Sequence, residues 1–205
     1  MRMNIWIKIK KINYKLKKYV YTFINRISFW FNGVKCGSNL ATRGRIYIYR
    51  HYEDTEIIIG DNVNINSAYW ANPIGFGDRT YFQVFRNGKI IIGNKCGISN
   101  AAFSSASSIT LGDEVMIGAG CKIYDTDFHA IHSINRGVHG KEEEHIKTQP
   151  IFIEDHVFIG AGTLILKGVH IGKHSVIGAG SVVTHDVPEG EIWAGSPARF
   201  VKKVD

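Results

Sequence analysis

The chain has 205 residues, 44% hydrophobic and 21% charged, with 22 glycines and only 4 prolines, a globular composition rich in tight turns that excludes a low-complexity or disordered polypeptide. Its net charge of +7 sits at one end: residues 1–52 hold 12 Lys/Arg and no Asp/Glu, and the remainder holds 13 Lys/Arg against 18 Asp/Glu. Three cysteines without a CxxC pair exclude a disulfide framework and fit a reducing cytoplasm, the lysine-interrupted start gives no signal-peptide apolar stretch, and no apolar run is long enough to span a bilayer.

The first predicted element is helical. Ile5, Ile9, Ile12, Leu16, Tyr19, Phe23 and Ile27 recur at steps of three and four, with Lys8, Lys11, Lys15 and Lys18 between them. The pattern predicts one amphipathic basic helix, or two short ones, to about Phe31, ending at Asn32-Gly33. Two destinations fit its apolar face: packing on the body of the protein or on a neighbouring subunit, or lying on an anionic membrane surface. Residues 1–33 form this segment.

From residue 34 the period changes. Ile153, Ile159, Ile165, Ile171, Ile177 and Val183 follow one another at steps of six. Four places after each stands a small or β-branched residue: Val157, Thr163, Val169, Ser175, Ser181 and Val187. The same phase appears upstream at Ile59, Phe76, Ile92, Leu111 and Ile117. Strand side chains alternate faces every two residues, so six residues make one short strand and one corner, and three such units close a triangular coil. Stacked coils bury an aliphatic column, as in other solenoids. The prediction is an all-β parallel helix over 34–190, followed by a C-terminal segment, 191–205. Cys96 and Cys121 take the small fifth position and read as interior. The aromatic stretches Tyr69-Trp70 and Tyr81–Phe85 fit either the core or a platform for sugar rings.

One stretch breaks the register. Ile123 keeps the phase, but Asp127 stands where a small residue is required, and regular repeats resume only at Ile153. The intervening loop, about 124–152, carries Asp125, Asp127, His129, His132, His139, His145 and the run Glu142-Glu143-Glu144. A long polar loop leaving a rigid scaffold is where function is expected. His156, His170 and His174 fall at repeat positions that point outward.

These residues resemble the hexapeptide-repeat acyltransferases, above all the sugar O-acetyltransferase branch that includes maltose and galactoside acetyltransferases and capsule or O-antigen acetyltransferases. The resemblance rests on the ordered repeats, Asp125-Thr-Asp-Phe-His129, the Gln149-Pro150 return, Val182-Val-Thr-His-Asp-Val-Pro188 and Ala194-Gly-Ser-Pro-Ala-Arg199. It implies a left-handed coil and a homotrimer. It also implies that His129 is the catalytic base, that Asn100 is an active-site asparagine, and that Glu144, with Glu143 close behind, steadies the histidine. Coenzyme contacts carry over to Gly160, Ala161, Gly178, Ala179 and Thr184. His185 stands where the family commonly has lysine, and Arg199 and Lys202 are the candidates for the 3′-phosphate. Trp193 is placed either against the adenine or in C-terminal packing.

The implied chemistry is direct acetyl transfer from acetyl-CoA, a co-substrate, to a hydroxyl of a sugar, nucleotide sugar or lipid-linked glycan, with no metal and no nucleic-acid partner. A histidine removes the hydroxyl proton and returns it to the leaving thiolate. Amino-sugar N-acetylation fits the same base. From other classes, a β-helix carbonic anhydrase-like metal protein and a non-catalytic scaffold remain rival readings. The expected location is the cytoplasm, with the inner membrane face as the alternative to free solution.

Overall fold

The computed structural model describes residues 2–75, 79–138 and 142–204; Phe76 to Asp78, within one predicted repeat, and His139 lie outside these residues. Three parallel sheets run the length of the molecule, and the chain visits them in strict rotation, the arrangement of a left-handed parallel β-helix. The first sheet stacks Lys35–Cys36, Glu56–Ile59, Lys89–Ile92, Ser108–Leu111, Ile151–Ile153 and His170–Ile171. The second runs from Ala41–Arg43 through Asn64–Asn66, Gly97–Ser99, Met116–Ile117 and Phe158–Ile159 to Val176–Ile177. The third runs from Tyr47–Arg50 through Tyr81–Val84, Ala102–Ser105, Lys122–Tyr124 and Leu164–Ile165 to Val182–Val183.

The six-residue rule becomes three vertical columns inside the prism. Ile59, Ile92, Leu111, Ile153 and Ile171 align in the first sheet. Ile65, Ile98, Ile117, Ile159 and Ile177 align in the second, and Phe82, Phe103, Ile123, Ile165 and Val183 in the third. All are buried, and each stabilises the fold by about 1.5–3 kcal/mol relative to exposure. The aromatic stretch therefore divides: Phe82 and Val84 are core, Tyr69 is exposed, and Trp70 meets the helix. Cys96 and Cys121 lie inside, and burial pushes both thiols up to about 11.

The N-terminal element is one continuous helix, Arg2–Phe31. It ends in a Schellman arrangement: Gly33 adopts φ +62°, its N–H reaches Trp30 O, and Val34 N–H reaches Phe29 O. The helix caps the first coil. Phe29 plugs the core. Asn25 is fully buried, donates to Thr42 Oγ1 and Gly44 O at 2.8 and 2.9 Å, and accepts from Ile46 N–H at 3.1 Å. Thr22 Oγ1 accepts from Thr42 N–H, and Tyr14 and Tyr21 pack on Trp70.

The face that packs is thus Tyr14, Tyr21, Thr22, Asn25 and Phe29, and the predicted stripe is not part of it. Every member of that stripe, from Ile5 to Ile27, is at least 42% exposed. Packing of the stripe on the body of its own chain, one part of the first expectation, is corrected: the side carrying Thr22 and Asn25 takes this contact because the coil end offers backbone groups that polar side chains can satisfy. Among the described residues, no helix is long and apolar enough to cross a membrane.

At the other end, Glu191–Gly195 continues the second sheet and pairs antiparallel with Ala198–Lys203. This hairpin closes the column.

Candidate active site

The polar loop leaves the third sheet after Tyr124 and rejoins the first sheet at Ile151. Its neck is an antiparallel pairing. Thr126 bridges Thr148, Asp127 N–H reaches Lys147 O, and Gln149 N–H reaches Asp125 O. Asp125 is fully buried and accepts from Ser105 Oγ at 2.6 Å and from the N–H groups of Ala106 and Ser107. Burial raises its carboxyl above the ordinary value, against the pull of these donors. The loop is therefore clamped to the coil before it.

The turn that follows presents His129. Phe128 adopts φ +62°, a conformation that a bulky residue takes only when its surroundings enforce it. Its ring packs edge-on against Tyr124 at 5.1 Å and Phe85 at 6.2 Å. His129 N–H donates to Asp127 O at 2.7 Å. Lys167 reaches Asp127 Oδ1 at 2.5 Å, in a pair only about a fifth exposed.

His129 Nδ1 lies 3.0 Å from Glu142 Oε1. The same oxygen accepts Ala130 N–H at 3.1 Å, and Oε2 accepts Gly137 N–H at 2.9 Å. Those backbone donors, followed by His129, hold the Glu142 carboxyl below its ordinary value. An ionised carboxylate can only accept, so Nδ1 carries the hydrogen, and in the neutral imidazole Nε2 is left with its lone pair. The expected partner, Glu144, is exposed, as is Glu143; the carboxylate against the histidine is Glu142, at the start of the short 3-10 turn Glu142–His145. Only the return path of the loop distinguishes the three neighbours. The sequence showed the acidic run but not which member turns inward. Asp127 and Lys167 stand 40 residues apart in sequence, and only the fold brings them together.

The predicted site residues sort onto two edges of the prism. His129, Thr184 and His185 follow strands of the third sheet, on its edge with the first. Asn100, Gly160, Ala161, Gly178 and Ala179 follow strands of the second sheet, on its edge with the third. On that second edge Gly120, Gly162 and Gly180 stack with φ between 70° and 74°, and Asn100 stands above them at φ +45°. A Cβ at Gly120 or Gly180 would meet nothing within 4 Å among the described residues, so the chain at these corners faces open space. Asn100 is buried, its Nδ2 donates to Asn72 O, its Oδ1 has no hydrogen-bond partner among the described residues, and it borders a cavity of about 170 Å³ with Arg79, Tyr81 and Lys122.

At the C-terminus, Arg199 pairs across the hairpin with Ala194, and Lys202 with Ile192. Thr184 Oγ1 lies 2.7 Å from His185 Nδ1. Trp193 packs against the end of the core, and its Nε1–H donates to Glu191. His132, His156, His170 and His174 are exposed, and His156 and His174 stack at 5.0 Å.

A bacterial transferase hexapeptide model of six repeats matches residues 150–185. The chain is 34% identical to the galactoside O-acetyltransferase of Lactococcus lactis subsp. lactis over 151 residues, 72% of this chain and 63% of that protein. The chain thus spans less than two thirds of the length of this curated relative. Among solved structures, AntD, an N-acyltransferase from Bacillus cereus in complex with dTDP and 3-hydroxybutyryl-CoA, superposes with a TM-score of 0.67 at 20% identity, covering 88% of each chain. A hexapeptide-repeat containing acetyltransferase from Vibrio cholerae, complexed with acetyl coenzyme A, gives 0.54 at 24% identity, covering 82% of this chain and 70% of that one. At these identities the two structures establish the fold alone.

Proposed function

This chain belongs to the hexapeptide-repeat transferase family, and on that premise we propose that it moves the acetyl group of acetyl-CoA directly to a hydroxyl of a sugar or polysaccharide precursor. The observation that carries this reading is the 3.0 Å contact between His129 Nδ1 and Glu142, which leaves Nε2 as a base. A neutral alcohol is a weak nucleophile. As its oxygen attacks the thioester carbon, its proton passes to Nε2; the C–S bond then breaks and the proton goes to the coenzyme thiolate. The cysteines do not compete as covalent nucleophiles at Cys96 and Cys121, whose thiols are interior and pushed up to about 11.

For the coenzyme we assign the edge at Asn100, Gly120, Gly160–Gly162 and Gly178–Gly180, with Thr184, His185, Arg199 and Lys202 as the polar and cationic contacts. These lie on different edges of one prism, as do Asn100 and His129. A homotrimer would bring His129 of one subunit to the Asn100 edge of the next. The outer face of the second sheet supports such contact: Met116 and Phe158 stand in register there, each about half exposed.

The test is acetyl-CoA binding by calorimetry, then release of coenzyme thiol with a panel of sugars and amino sugars. One site per chain and turnover on hydroxyl acceptors are expected. His129→Ala should cost about 10²–10⁴-fold in kcat with coenzyme binding retained. Turnover only on amino sugars would move the activity to N-acetylation, in keeping with the N-acyltransferase of like fold. No coenzyme binding by the folded protein would end the transferase reading.

A further inference from the structure

The N-terminal helix is mounted with its apolar side outward. At about 100° per residue, Tyr14, Tyr21, Thr22, Asn25 and Phe29 share the side that grips the coil. Ile5, Ile9, Ile12, Leu16, Phe23 and Ile27 share the opposite side. Tyr19 borders that stripe, and Trp6, Trp30 and Phe31 widen it; these aromatic residues are 65–75% exposed. Cations line both flanks: Lys8, Lys15 and Arg26 along one, Lys10 and Lys17 along the other. The helix has 30 residues, a length of about 45 Å, and packs against the first two strands of the β-helix, so its outward side is a long apolar strip between two cationic rows.

A solvent-facing strip of this size needs a cover. Charge complementarity selects it. Residues 1–52 contain no acid against 12 Lys/Arg, so the cover must be apolar in the middle and anionic on both sides. A second copy of this helix offers the same cations and would repel. The boundary of a bilayer containing anionic phospholipid offers acyl chains flanked by phosphates, and tryptophan and tyrosine favour that depth. We propose that the helix lies in the plane of an anionic membrane surface and docks the β-helix end-on, with its coils stacking away from the bilayer. No span is involved: among the described residues no helix is long and apolar enough to cross a membrane. The buried Asn25 contacts fix the helix rigidly enough to set this orientation.

The proposal is independent of acetyl transfer and is tested without substrate. The full chain is floated with vesicles of phosphatidylcholine alone and of phosphatidylcholine with phosphatidylglycerol. Binding to the anionic vesicles is expected, with little to the neutral ones, and it should weaken about tenfold as salt is raised, since surface attraction is screened. A double variant, Ile12→Asp with Phe23→Asp, alters only exposed positions. It should lose about tenfold or more of vesicle binding while keeping its circular dichroism, its sedimentation and its acetyl-CoA affinity. Failure to bind anionic vesicles, or binding untouched by the double variant, overturns the proposal. A drop of the double variant to a smaller oligomer also overturns it, because a second copy would then have been the cover.

Discussion

Glu142 holds His129 by the ring nitrogen that does not react. Its Oε1 sits 3.0 Å from Nδ1, while its other contacts are to backbone N–H groups of the same loop, at Ala130 and Gly137. One carboxylate therefore folds the loop and sets the tautomer. Glu142→Gln keeps the size but can present an amide N–H to Nδ1, which favours the wrong tautomer. The expected result is a fall of roughly 10²-fold or more in kcat with the KM for acetyl-CoA nearly unchanged. Glu144→Gln, at the exposed position, should alter kcat less than about twofold by the same reasoning. Equal losses in the two variants would remove Glu142 from this positioning role.

The same carboxylate links loop stability to pH. Its pKa is lowered in the folded chain, chiefly by Gly137 and Ala130 and less by His129. A lowered carboxylate contributes stability above its ordinary value of 4.5, and that contribution fades as pH falls through the folded value. The Tm gap between wild type and Glu142→Gln should close as pH falls below the ordinary carboxylate value and through the folded one. A gap that grew over that acidic range would contradict the assignment.

Thiol labelling separates the cysteines. Cys96 and Cys121 are buried with thiols at about 11, whereas Cys36 is half-buried. At pH 8 the thiolate is the reactive form, so a chromogenic disulfide reagent should titrate Cys36 alone in the native protein and all three in denaturant. Rapid native labelling of Cys121 would mean that the column opens more readily than its packing implies.

Asn25 joins the helix to the coil through three buried hydrogen bonds. Asn25→Ala leaves the buried Ile46 N–H without a partner, at a cost of about 2–3 kcal/mol. Urea unfolding measures it. A change under about 0.5 kcal/mol would show that water replaces the amide and that the helix is not locked to the coil.

The repeat was legible from residues alone because its physics is local. Strand alternation and one corner per six residues force an apolar residue at Ile153, Ile159 and Ile165 whatever the rest of the chain does, and all three are buried in register. The loop was legible for the same reason in reverse, since Asp127 cannot occupy an interior position. The role of the histidine just beyond its neck came from resemblance. What the sequence could not decide were relationships between distant parts. Glu142, Glu143 and Glu144 are chemically identical neighbours, and only the return of the chain past Ala130 and Gly137 turns the first inward. The helix pattern fixed a stripe but not its direction, because hydrophobic spacing is blind to what waits on the other side. There the open coil end presented the Ile46 N–H and the Gly44 carbonyl, and leaving such groups buried without partners costs about 1–3 kcal/mol each. The amide of Asn25 therefore took the contact, and the apolar stripe was left facing out.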